Sequence, residues 1–175
     1  DGVSINTGVL FSVFTLGVAS VKLACFIPAP LINGYLLGEG DRAEGADLAG
    51  QSLSGMHMAR MDLRGSNLTG ANLSGSDLSD GNLANAQFQD ANIDRTNLSN
   101  ANLQSATLSG SKITAGTNLN TLLRDVNLSN TDLSLNKLPG HDFTGSDLSG
   151  SNLSGVNLRG SVFDRSNLDG TNFSN

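Results

Sequence analysis

The side chains best suited to catalysis or metal binding are few in this sequence and lie far apart. The 175 residues include two histidines, His57 and His141, and a single cysteine, Cys25. Covalent catalysis needs a nucleophile beside a base, and a zinc site needs several nitrogen or sulfur ligands together. Neither histidine has another histidine, a cysteine or an acid at ligand spacing. We therefore predict no catalytic residue, no metal site and no catalytic cofactor, and we do not expect an enzyme.

A glycine-rich stretch at residues 38–43, GEGDRA, resembles a phosphate-binding loop only superficially. In nucleotide-binding proteins such a loop opens a helix whose N-terminus holds the phosphate. No helical pattern follows this stretch, so we interpret it as part of a linker.

A five-residue period dominates the chain from Leu48 onward. In SNLTGANLSGSDLSDGNLANAQF, residues 66–88, a large apolar residue stands at every fifth position. The register runs to Phe173 through 26 such centres, and all but Asn118 are Leu, Ile, Phe or Met. Five steps of about 100° leave a helical side chain about 140° from its start, and an odd period alternates faces on a strand. The period therefore predicts a coil that turns a corner after every pentad, with each centre pointing to the axis.

The other positions of the pentad fit a narrow four-sided column. Asn or Asp usually precedes the centre, and Gly, Asn or Asp stands two residues after it, as tight turns require. Stacked turns of four pentads, about 4.8 Å apart, give a rod roughly 30 Å long. The position two before the centre must also point inward and is small. It holds Ala71, Ser76, Gly81, Ala86, Ala91, Thr96 and Ala101.

These units of A/S/T, D/N, L, S/T and G resemble the pentapeptide-repeat family. The resemblance covers residues 46–173 and implies an all-β solenoid, the right-handed quadrilateral β-helix of that family. We assign residues 41–175 to this β-helix.

The pattern becomes irregular in residues 114–125, TAGTNLNTLLRD, and again one turn later in residues 134–143, SLNKLPGHDF. Apolar residues there occupy positions that should face outward, and clustered exposed apolar groups are uncommon without a partner. We predict a docking surface. The alternative is a local bulge in which Leu119 replaces Asn118 on the axis. The candidate contact residues are Leu119, Leu122, Leu135, Lys137, Pro139 and Val162.

The first 40 residues differ in character. Residues 5–27 contain one charge, Lys22, and as a helix would span about 34 Å, against roughly 30 Å of bilayer hydrocarbon. We predict a transmembrane α-helix over about 5–27 and a linker to residue 40. The alternative is a soluble helix that caps the column. Small residues suited to packing against other membrane helices are Gly8, Ser12, Gly17, Ser20 and Ala24.

The sequence thus predicts a non-catalytic scaffold subunit of a membrane complex. Its expected partners are other membrane-protein subunits and membrane lipid, not nucleic acid, which a net charge of −6 disfavours, and not a free homo-oligomer. The resemblance adds a cyanobacterial or plastid setting, so a single-pass protein of a photosynthetic thylakoid complex is preferred. Whether a pigment or lipid binds the N-terminal helix is left open. The alternative implied by the resemblance is a soluble DNA mimic acting on DNA gyrase.

Overall fold

Pentad coils, preceded by one short hairpin, make up the described part of the chain. The computed structural model describes residues 30–114, 116–134 and 136–174. β1 spans Leu31–Ile32 and β2 spans Tyr35–Leu36, and the two strands pair antiparallel. Beyond them, single-residue parallel bridges take the place of longer strands because the chain bends within every pentad.

Successive coils stack with equivalent residues twenty positions apart. Bridges join Asn72 to Asn92 and Asn92 to Lys112, and the Nδ2 of Asn92 donates to the Oδ1 of Asn72 at 3.2 Å. The Leu73 amide donates to the Asn92 carbonyl at 2.8 Å, and the Asn92 amide donates to the Ala71 carbonyl at 2.9 Å. Four pentads therefore complete one turn, and the four-sided β-helix predicted from the period is present.

In the regular coils, each described corner lies two residues after a centre and uses left-handed backbone. Gly75 has φ 68°, and the corners that follow it, Asp80 and Asn85, have φ 56° and 60°. Glycine, Asn and Asp adopt this region at the lowest steric cost. The residue after the corner closes the turn, as when the Ala71 amide donates to the Leu68 carbonyl at 3.0 Å. The corner chemistry therefore explains the Gly, Asn and Asp of the fifth pentad position.

The core fills the lumen of the β-helix. Pentad centres such as Leu68 and Leu73 are fully buried, and so are the small inward residues such as Ala71 and Ser76. Each buried leucine contributes roughly 1.5–3 kcal/mol. Higher in the column, the rings of Phe143 and Phe163 stack in parallel with centroids 5.0 Å apart.

The hairpin closes the first coil. It was not predicted from the sequence, because we interpreted these residues as part of a linker. Its turn is Asn33-Gly34, with φ 49° and 85°, the left-handed pair that suits a tight two-residue hairpin. The Nδ2 of Asn33 donates to the Asp47 carbonyl at 2.9 Å. Ile32 and Tyr35 pack against the core, and Leu37 behind them is fully buried. The hairpin therefore seals the lumen at this end.

The predicted transmembrane helix over 5–27 lies outside the described residues. So do its packing candidates Gly8, Ser12, Gly17, Ser20 and Ala24, and also Cys25. Within residues 30–114, 116–134 and 136–174, no helix has the length and apolar character needed to cross a bilayer.

Candidate docking site

The regular column breaks at a bulge in the coil around residue 118. The inward centres before and after it are Ile113 and Leu123, and between them the buried residue is Leu119, with 5% of its surface exposed. One side of this coil therefore has six residues and the next has four. The bridge of Asn97 also shifts by one position, to Asn118. The prediction that Asn118 occupies the axis in an unbroken series of centres was wrong, and the bulge alternative is what the structure contains.

Side-chain chemistry explains the shift. An asparagine on the axis would bury its amide among leucines without hydrogen-bond partners, which costs several kcal/mol by transfer scales. In the bulged coil Asn118 faces outward instead, and its Nδ2 donates to the Oδ1 of Asn97 at 3.0 Å. Leu119 fills the lumen in its place. Thr117 follows the same shift, since its hydroxyl donates to the Ile93 carbonyl 24 residues earlier, whereas regular coils use 23.

The bulged coil does not pair regularly with the coil above it. Among the described residues, no bridge joins Leu122 to Asp142, although Asn102 pairs with Leu122 below and Val162 pairs with Asp142 above. The amides of Leu123 and Asp142 correspondingly have no hydrogen-bond acceptor among those residues. We call the opening between the two coils the inter-coil groove, lined by residues 117–122 and 136–142.

His141 bridges the inter-coil groove. Its Nε2 lies 2.8 Å from the carbonyl oxygen of Leu119 in the bulged coil, and its Nδ1 lies 3.2 Å from that of Pro139. A ring nitrogen donates to a carbonyl only when it carries a proton, so the tautomer decides which of the two carbonyls accepts from the ring. The ring therefore links the two coils by a side-chain contact at a place where, in the described part of the chain, a backbone hydrogen bond between them is missing.

Two cavities open beside this histidine. One, of about 460 Å³, is lined by Asn102, Leu122, Pro139 and His141 among others. The second, of about 530 Å³, shares Pro139 and His141 and adds Lys137. Both volumes lie within the range of small-molecule pockets.

The structure brings together only part of the predicted docking surface. Leu122 has 65% of its surface exposed and lines the first cavity with the exposed Pro139, while Lys137 is exposed beside the second cavity. Leu119 is buried, so its predicted outward position was wrong. Val162 is 42% exposed in the coil above and lines neither cavity. Leu135 lies outside the described residues.

An ion pair lies beside the groove. Nη1 of Arg124 lies 3.3 Å from Oδ2 of Asp142. The pKa of the Asp142 carboxyl lies below its usual range, mainly because the side chain and backbone N–H of Thr144 donate to it, with a smaller contribution from Arg124. Asp142 is therefore ionised at neutral pH and keeps Arg124 against this wall of the groove.

Within the described ranges, no three histidine, cysteine or acidic side chains converge on a point that could hold a metal ion. His57, the other histidine, is exposed about four coils below. His141 is the functional candidate that sequence reasoning missed. Its position one turn above Thr121 follows from the pentad count, but the need for a bridging donor arises only once the bulge removes hydrogen bonds between the coils.

The geometry defines a four-sided β-solenoid of pentads with one irregular coil. The family described as Pentapeptide repeats matches residues 44–80, 82–120, 116–150 and 142–175, in eight copies. The chain therefore belongs to the pentapeptide repeat family, whose fold is the right-handed quadrilateral β-helix. Among curated protein sequences, none matches this chain.

Solved structures of other pentapeptide repeat proteins are similar to it. A trypsin-treated variant of QnrB1, a plasmid-mediated fluoroquinolone resistance protein, is 20% identical over 75% of this chain and 77% of its own, with a TM-score of 0.47. Rfr23 from the cyanobacterium Cyanothece 51142 is 26% identical over 75% and 90%, with a TM-score of 0.46. A protein of the Arabidopsis thaliana thylakoid lumen is 27% identical over 67% and 61%, with a TM-score of 0.20.

Proposed function

We propose that this protein is a non-catalytic scaffold subunit of a membrane complex, which binds a neighbouring subunit at the inter-coil groove. The observation that carries the proposal is the interrupted ladder itself. Regular coils bury apolar centres and satisfy their backbone groups, so they offer a partner only a polar surface. At the groove, an exposed leucine lies with the amides of Leu123 and Asp142, which have no acceptor in the described part of the chain.

Those features suit a protein partner. Leu122 and Pro139 offer apolar area beside the cavity, and a partner side chain placed there removes that area from water at about 25 cal/mol per Å². The two amides can donate to an extended segment of the partner, as an exposed sheet edge does. Lys137 adds a positive charge at the rim. The partner segment is therefore extended, partly apolar and rich in acceptors.

The anchor in this proposal is the apolar segment 5–27. The capping role that it could otherwise have is filled by the hairpin, in which Ile32 and Tyr35 pack on the core. A segment of 23 residues with one charge then fits a bilayer better than water. The family is abundant in cyanobacteria and plastids, and we place the protein in a thylakoid complex of the photosynthetic apparatus, with the rod beside the membrane.

The docking step is tested with a variant that closes the groove without changing composition. Exchanging the residues at 118 and 119, N118L with L119N, restores a regular pentad with leucine on the axis. The partner should co-purify with the native chain after mild detergent extraction and be lost from the exchanged variant. Equal recovery from both chains would show that docking does not use the groove.

A photo-crosslinking residue shows where on the rod the partner binds. Placed at Leu122, it should form an adduct with the partner, whereas the matched control at Asn82, two coils below in the same column, should not. The anchor is checked separately, because a transmembrane chain stays in the membrane pellet after carbonate extraction. Release by carbonate contradicts the anchor and leaves the groove result to be judged on its own.

A further inference from the structure

The hairpin that seals the column has an unusual outer face. Leu31 and Leu36 are cross-strand partners and point away from the lumen, with 68% and 53% of their surfaces exposed. Their neighbours Ile32 and Tyr35 point the other way, onto the core. Terminal caps of solenoids in water need a polar outer face. This cap is apolar on both faces, which indicates that its outer face meets an apolar phase.

We propose that the outer face of the hairpin, Leu31 with Leu36, is a membrane-contact surface that seats the end of the rod in the lipid interface. The inference rests on the proposed anchor at 5–27. Ile27 and Leu31 are four residues apart, a reach of at most about 14 Å when extended. Two of the residues between them are prolines, which favour extended chain.

The distance between Ile27 and Leu31 limits how far the hairpin can lie from the membrane. The headgroup layer outside the hydrocarbon is about 5–8 Å thick on each side. A hairpin tied within about 14 Å of the hydrocarbon edge can therefore reach this layer. Two adjacent leucines on its outer face then replace contact with water by contact with the upper acyl chains, as interfacial apolar side chains do.

Ion pairs near this end of the rod lower the electrostatic cost of bringing it to the lipid interface. Arg60 pairs with Glu39, and Arg64 donates to Glu44 at 3.1 Å and to Asp62 at 2.8 Å. An ion pair brings less charge to the interface than separate ions would, so its transfer toward lipid costs less. The end of the column is thus an apolar tip whose rim holds these ion pairs together with the carboxylates of Asp41 and Asp47, which form no salt bridge among the described residues.

Depth measurement in vesicles tests the inference on the full chain. In a Cys25→Ser background, single cysteines replace Leu31, Leu36 or, as control, Val162, which is similarly apolar and exposed but about six coils away. Each carries an environment-sensitive NBD label, and the chain is reconstituted into phosphatidylcholine–phosphatidylglycerol vesicles with and without nitroxide-labelled lipid. Labels at 31 and 36 should emit at shorter wavelength and lose most of their fluorescence to nitroxide lipid, while the label at 162 should do neither.

The outcomes separate this inference from the anchor. A chain that resists carbonate but keeps water-exposed labels at 31 and 36 retains the anchor and overturns the hairpin contact. Labels that are shielded but insensitive to nitroxide lipid also overturn it, because protein then covers the face. Sedimentation in detergent identifies that cover as a second copy if the particle is a dimer, and as segment 5–27 if it is a monomer. Release of the chain by carbonate removes both proposals.

Discussion

Buried hydroxyls show how single residues stabilise the column. The hydroxyl of Ser111 points into the lumen and donates to the Phe88 carbonyl, 23 residues earlier, at 2.7 Å. Thr96 and Ser151 repeat the arrangement with Leu73 and Leu128. Ser76 is equally buried, but its Oγ has no hydrogen-bond partner among the described residues. The small inward position therefore holds serines that contribute a hydrogen bond between coils, such as Ser111, and serines that do not, such as Ser76.

Alanine substitutions at Ser111 and Ser76 should have different effects on the free energy of unfolding. Ser111→Ala removes the donor of a buried hydrogen bond and should lower the free energy of unfolding by about 1–2 kcal/mol. Ser76→Ala removes a polar group that is buried without a partner in the described structure and should leave the stability unchanged or raise it slightly. Urea unfolding followed by circular dichroism measures both. An equal loss for the two variants would contradict this assignment.

A second prediction concerns two corner glycines. They differ in whether a side chain of the coil below lies where an added methyl group would go. Gly145 and Gly155 both have left-handed φ, 74° and 68°. A methyl group on Gly155 would meet nothing within 4 Å, whereas one on Gly145 would collide with Oδ1 of Asp125. Gly155→Ala should cost about 1–2 kcal/mol from backbone strain alone, and Gly145→Ala should cost slightly more, because the exposed carboxylate of Asp125 must rotate away. Urea unfolding measures both, and the added Asp125→Ala substitution should remove the excess at 145 if the collision causes it.

The carboxylate of Asp77 links stability to pH. Its Oδ1 accepts from the hydroxyl of Ser79 at 2.7 Å, the backbone N–H of Ser79 at 3.0 Å and the amide of Asn97 at 3.0 Å. Led by the Ser79 hydroxyl, these donors lower the pKa of Asp77. A carboxyl with a lower pKa when folded stabilises the fold above its unfolded pKa, and this stabilisation is lost as pH falls through the folded pKa.

Asp77→Asn should therefore reduce the acid sensitivity of the fold. The asparagine keeps the Oδ1 acceptor but cannot titrate, so the drop in melting temperature between neutral pH and about pH 3 should be smaller than in the native chain. Ser79→Ala removes the strongest donor and should reduce the drop in part. Melting curves at both pH values measure this, and unchanged acid sensitivity of Asp77→Asn would show that the carboxylate interactions do not stabilise the fold.

At the level of the element, the sequence predicted the pentad well and its interruptions poorly. The inward leucines, the small second position and the corner residues each follow from local sterics, so they could be predicted one pentad at a time. The bulge could be given only as an alternative, because a side of six residues followed by one of four restores the phase at Leu123 and leaves the downstream pattern unchanged. Choosing between Asn118 and Leu119 requires weighing amide burial against backbone distortion.

The hairpin shows the opposite case. Its signal, Asn33-Gly34 between two apolar pairs, is present in the sequence and is strong for a two-residue turn. It was obscured because the apolar stretch before it suggested a membrane segment and the glycine-rich stretch after it suggested a linker. The residues of the groove could be predicted in part. The alignment of Leu122, Asp142 and Val162 in one column follows from the pentad count, whereas the bridge missing between Leu122 and Asp142 in the described structure does not.

For the whole molecule, charge is distributed unevenly among the four sides. The side that carries Asp47, Asp90, Asp147 and Asp169 has no lysine or arginine, while the side that carries Asp77 and Asp80 also has Arg60, Lys137 and Arg159. A rod that imitates a DNA duplex needs acid along more than one side, because phosphates flank both grooves. This distribution favours docking at a defined place over imitation of nucleic acid along the rod.

The groove should also divide the column into two cooperative units. In a solenoid, stability is the sum of coil stabilities and contacts between neighbouring coils, so the weakest interface opens first. Between the bulged coil and the next, the amides of Leu123 and Asp142 lack, within the described structure, the bonds that their equivalents two coils lower in the column have. There, the Leu83 amide donates to Asn102 and the Asn102 amide to Gly81, each at 2.8 Å.

Hydrogen exchange should reveal this division. In the native chain the amides of Leu123 and Asp142 should exchange orders of magnitude faster than those of Leu83 and Asn102, because they open without global unfolding. In the N118L and L119N exchange, the regular pentad should restore the missing rungs, slow exchange at 123 and 142, and raise the melting temperature. Equal protection at all four amides of the native chain would mean that the coils pair across the groove in solution and that the rod unfolds as one unit.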